Sequence, residues 1–74
     1  MTTSLDIHIG DIFINPEINY WALVCGPRVC SIQRGIEYFE WPVLFNRDGE
    51  MIETIATAGW IDSILKDTVD WLYL

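Results

Sequence analysis

His8 is the only histidine in the chain, two residues after Asp6 and three before Asp11. An imidazole oriented by a carboxylate is the core of a general base. It needs a group to deprotonate, and no motif ties a serine, a cysteine or a second base to His8, so it reads as a solvated strand histidine. The carboxylate pairs Glu37/Glu40 and Glu50/Glu53 are each three residues apart, which on a strand sends the two side chains to opposite faces. They read as solvated charges. Cys25 and Cys30 lie in CGPRVC with four residues between them, neither the spacing of a redox motif nor half of a zinc site. Small buried hydrophobes are the plain reading, and a disulfide across a hairpin stays open if the two oppose each other. The sequence offers no Gly-rich phosphate cradle and no Asp-rich loop of metal spacing. We therefore expect no enzyme, no cofactor and no metal.

The aromatic residues are the stronger signal. The chain holds three Phe, four Trp and three Tyr, several of them adjacent. Successive strand side chains face opposite ways, so Tyr20 and Trp21, or Tyr38 and Phe39, must divide between core and outside. Trp and Tyr recur at interface hot spots because they bury much area with few rotors. Tyr20, Trp21, Tyr38 and Trp41 are accordingly expected at a protein contact.

These residues need a scaffold, and Ile36 to Thr57 supplies its centre: two strand-like runs joined through Asn46-Arg47-Asp48-Gly49-Glu50. Asp-Gly is a hairpin signal because Gly takes positive φ without steric cost and Asp tolerates it. Pro42 within the first run must sit at a bulge or where no ladder bond is made. Upstream, Leu5, Ile7 and Ile9 alternate with polar residues as a strand from about Leu5. Gly10 bends it, and Ile12 and Ile14 resume the pattern. Tyr20 to Cys25 is a second strand, apolar enough to suggest burial on both faces or a covered edge. Gly26-Pro27 kinks it, and Arg28 to Gln33 continues with Val29 and Cys30 or Ile32 inward before Arg34-Gly35 turns the chain. After Thr57, an expected N-cap, Trp60, Ile61, Ile64 and Leu65 recur at helical spacing. Thr68 to Leu74 returns to period two, with Val69, Trp71 and Tyr73 on one face and Leu72 and Leu74 on the other. Exposed leucines there would join the contact surface.

With 74 residues the chain reads as a single domain over 1–74, and 51% hydrophobic residues are a heavy load for so small a core. Eleven acidic against four basic residues give a net charge of −7, which opposes direct binding to nucleic acid or to anionic membranes. No apolar run approaches the ~18 residues of a membrane span, so the expected location is the cytoplasm of a host cell or a virion.

The order of elements is similar to that of SH3-like small barrels: strand, long loop, strand, kink, strand, Asp-Gly hairpin, helical turn, last strand. Ile9-Gly10-Asp11-Ile12-Phe13, Tyr20 to Val24, and Val43-Leu44-Phe45 followed by Asp48-Gly49-Glu50 carry the resemblance. Such proteins are frequent in tailed bacteriophages. The resemblance implies a mainly β, SH3-like small barrel of about five strands with one short helix before the last. The chain lacks the pattern of a proline-peptide groove, so none is carried over. The function expected is a non-catalytic protein-binding or assembly module, as in a small phage structural component, with self-association among the outcomes. The alternative is an acidic phage-encoded inhibitor seated on a basic surface of a host enzyme or nucleic-acid-binding protein.

Overall fold

The computed structural model describes residues 3–67 and 70–74. It is mainly β: β1 (Ile12–Asn15), β2 (Tyr20–Val24), β3 (Val29–Gln33), β4 (Ile36–Arg47), β5 (Glu50–Thr57), the helix α1 (Ala58–Lys66) and β6 (Leu72–Tyr73). The strands form one antiparallel six-stranded sheet in the order β3-β4-β2-β1-β6, with β5 on β4. Strand β4 is its spine. One edge of β4 pairs first with β3 and then with β2, from Ile36 to Glu40 and from Val43 to Arg47, while the other edge pairs with β5 from Glu40 onward.

Both hairpins on this spine close through two residues of positive φ. Asp48 and Gly49 lie at φ 50° and 94°, and Arg34 and Gly35 at 53° and 77°. Turns of this kind follow the natural strand twist, which fixes the registers Arg47 opposite Glu50 and Gln33 opposite Ile36.

Register assigns the faces. The inner face carries Phe13, Val24, Trp41, Val43 and Ala56, all buried, and α1 lays Ile61 and Ile64 upon it. Thr57 caps the helix, its hydroxyl accepting from the Trp60 N–H at 3.2 Å, and Lys66 in the last turn complements the dipole. A 3₁₀ turn, Ser4–Asp6, docks on α1 where the Ser4 N–H donates to Asp62 Oδ1 at 2.8 Å, and Ile7 joins the core.

Four expectations change. The segment from Leu5 to Ile9 is not a strand, because Thr3 and Asp6 form a capping box that winds the 3₁₀ turn and leaves Leu5 and Ile9 exposed. The strand begins at Ile12 and points Phe13 and Asn15 inward, with Ile12 and Ile14 half-buried on the other side. Strand β3 buries no residue: Val29, Cys30 and Ile32 are all exposed, because the β3–β4 hairpin extends past the core as an arm. Only Phe39 on that arm reaches back to the core, with the Arg28 guanidinium 4.2 Å from its ring centroid. Lastly, β6 pairs with β1 alone among the described residues, so the sheet stays open and no barrel closes. The expected closing strand shrinks to Leu72–Tyr73; Thr68 and Val69 lie outside the described residues.

Candidate contact face

The outer face of the sheet is largely apolar across β6, β1, β2 and the part of β4 that pairs with β2. Directly opposed residues of antiparallel strands share a face. One row runs Leu72, Ile14, Trp21, Asn46 and Met51 across β6, β1, β2, β4 and β5. The next runs Ile12, Leu23, Leu44 and Glu53, extended by Leu74, which exchanges both backbone hydrogen bonds with Ile12 at 3.2 and 2.9 Å. Pro42 and Ile55 follow as an opposed pair. Towards the arm, Tyr38 and Ile36 continue the same side of β4.

The polar members of this surface are accounted for. Asn46 is buried and donates from Nδ2 to the Asn19 carbonyl at 2.8 Å, so its amide does not interrupt the row. Glu40 accepts from the Ser31 hydroxyl. Glu53 stands exposed on β5, at the sheet margin. The ion pair Arg47–Glu50, 3.7 Å apart, lies beside the Asp48-Gly49 turn.

Trp21, Tyr38, Leu72 and Leu74 share this outer side, two of them half-buried and the leucines exposed. Tyr20 and Trp41 do not. Tyr20 lies on the inner side, half-buried and edge-on to Phe45 at 5.6 Å. Trp41 is 2% exposed, because its opposed residue is the small Ala56, whose missing bulk makes room for an indole in the core. The expectation that Trp41 lies at a contact is thereby corrected. The adjacent aromatics divide as period two requires, and Tyr20, Phe45, Trp60 and Trp71 form a chain of edge-to-face contacts at 5.6, 6.2 and 6.0 Å. Phe45 and Trp60 also line an apolar recess of about 320 Å³ between β5 and α1, together with Val43 and Ala56 among others.

Sequence reasoning missed Ile12, Ile14, Leu23, Leu44, Met51 and Ile55 on the outer face. The signal was the unbroken apolar run of Tyr20 to Val24: a run without alternation fills both faces, and only one is covered by a helix here.

The groups considered for chemistry stay apart. His8 is exposed in a turn, not on a strand, and its backbone N–H donates to Asp11 Oδ2 at 2.9 Å. Asp11 also accepts from the Tyr73 hydroxyl at 2.8 Å. Loss of solvent around that hydroxyl, followed by the bond to Asp11 and its charge, pushes the Tyr73 phenol up to about 12. Cys25 and Cys30 are free and exposed, not buried hydrophobes. Among the described residues no three His, Cys, Asp or Glu side chains gather as a metal-ligand set, and no helix is long and apolar enough to cross a membrane. At the far end of the helix, Asp67 raises the Asp70 carboxyl above its ordinary value, with smaller contributions from desolvation and Glu17.

Comparison with protein-family models, curated proteins and solved structures gives no match.

Proposed function

We propose that this chain is a non-catalytic module that binds protein through the outer face of its sheet, as a small component of a larger assembly. The observation that carries the reading is the pair of cross-sheet rows described above, in which Asn46 and Glu53 are the only polar members. Contiguous apolar surface on this scale is uncommon on isolated small proteins and marks contact sites. The order of elements, similar to SH3-like proteins of tailed bacteriophages, supports a place in a phage particle, while the open sheet departs from the closed barrel of that class.

The test is affinity capture from the native host with the original chain and with Met51→Lys/Ile55→Lys, two exposed positions on β5. A defined set of proteins retained by the first and lost by the second, with equal melting temperatures, supports the module. Equal capture by both removes it.

One observation favours a second reading, an acidic inhibitor steered onto a basic surface: Asp67 and Glu17 stand near enough to Asp70 for their charges to raise its carboxyl. Capture that disappears on raising salt, yet survives the β5 substitutions, selects this reading.

A further inference from the structure

We infer that the occupant of the outer face is a second copy of this chain, packed sheet against sheet about a two-fold axis lying in the plane between them. This rests on the contact-module reading and adds the partner's identity.

The first argument is electrostatic. Two chains of charge −7 repel each other, so self-association must use surface from which charge is absent. The two central rows contain one carboxylate, Glu53, and it stands at the β5 margin while Trp21 and Leu23 occupy the middle. A contact centred on β2 therefore desolvates no charge at its core, which is the composition that interface centres share.

The second argument is area. The molecule measures 38 × 28 × 21 Å, so its two longer dimensions bound the broadest face that a copy could cover. The broad face then has room for the roughly 800 Å² per partner that a standard stable interface buries.

The third is geometry. Antiparallel sheet faces pack on one another with side chains interdigitating at about 10 Å separation and a mean strand angle near 30°. A copy of this chain presents a face of matching twist and chemistry. In an isologous pair every residue of the face is used twice. Leu72, Leu74, Met51 and Ile55 are 50%, 67%, 57% and 58% exposed in the single chain, at opposite margins of the face. Sheet packing covers both margins together.

The experiment is sedimentation equilibrium of the purified chain over a concentration series, for the original sequence, Leu23→Asp and Met51→Lys/Ile55→Lys. We expect twice the chain mass for the original, and at least a ten-fold weaker dimer for both variants. Circular dichroism keeps a misfolded Leu23→Asp from being scored, and the β5 variant, altered only at exposed positions, decides if that happens. A single-chain mass at every concentration overturns the inference, as does a dimer that persists in the folded variants. A single-chain mass combined with face-dependent capture of other proteins overturns the copy as occupant and leaves the module standing. A dimer lost in the variants while host capture is unchanged supports the inference and removes the outer face as the site that captures other proteins.

Discussion

Gly26 lies so close to the Pro42 ring that a Cβ added to it would fall 2.6 Å from Pro42 Cγ. Gly26 is not at positive φ, so the constraint is space and not backbone conformation. Pro42 is itself tolerated because the N–H and C=O of a strand residue point to the same edge. Its carbonyl accepts from the Cys25 N–H at 2.8 Å, so the missing donor would have faced the β2–β3 connection, between the stretches that pair with β2 and β3. We expect Gly26→Ala to destabilise by about 1–3 kcal/mol through overpacking. Adding Pro42→Ala removes Cγ, and a double-mutant cycle in urea should show recovery of part of that loss.

Asp62 holds the 3₁₀ turn to the helix by accepting from the Ser4 N–H at 2.8 Å and from its hydroxyl at 3.3 Å. Asp62→Ala leaves the donors of the buried Ser4 unpartnered, at a cost of about 1.5–3 kcal/mol for bonds to a charged group. Hydrogen exchange should show early loss of protection at Ser4 and Ile7, with β4 unchanged.

The Tyr73 phenol is raised to about 12 from its ordinary 10. A phenol that is harder to ionise when folded stabilises the fold fully below pH 10, and this contribution is lost as pH climbs from 10 through 12. The stability of the original chain should fall more steeply across that window than that of Tyr73→Phe. Urea denaturation on either side of the window, with tyrosinate absorbance, checks it.

Leu72 and Leu74 are exposed on the outer face beside Ile14 and Ile12. Replacing both by Ser should weaken the sheet-to-sheet dimer, and at a concentration where the original chain is itself dissociated it should change the melting temperature little. A loss of several kcal/mol, as for emptied core positions, would show that these leucines are interior.

The parts of this fold that were legible in the sequence are those fixed by neighbours along the chain. Asp48-Gly49 and Arg34-Gly35 take positive φ and set their hairpins, and Thr57 caps the helix whose spacing had placed Ile61 and Ile64 inward. The errors lie where distant chain decides. Leu5, Ile7 and Ile9 alternate like a strand, yet the Thr3–Asp6 capping box winds the chain there and the Ser4–Asp62 contact docks that turn on the distant helix. Ile12 and Ile14 carry a strand pattern that fits either face, and pairing with β2 sets Phe13 instead beside the small Ala22 in the core. Trp41 and Trp21 are alike as residues; only their register on the sheet makes one core and the other surface. The contact face was legible as an aromatic surplus and a pair of leucines, but not as rows, because rows exist only once strands pair.

The β4–β5 hairpin joins residues that are near neighbours in the chain, whereas the pairing of Phe13 with Tyr73 brings together residues from its two ends. Hairpins form in roughly 1–10 μs, and pairings across long loops wait for the entropy of closure to be offset by other contacts. We therefore expect assembly to start at the β4 hairpins and to end at β6. Substituting Gly49 by Ala, at φ 94°, should slow refolding, while removing the Tyr73 ring should leave that rate alone and speed unfolding. If the strand that docks last is also first to leave, β1 is the first inner strand of this sheet to be uncovered in each opening.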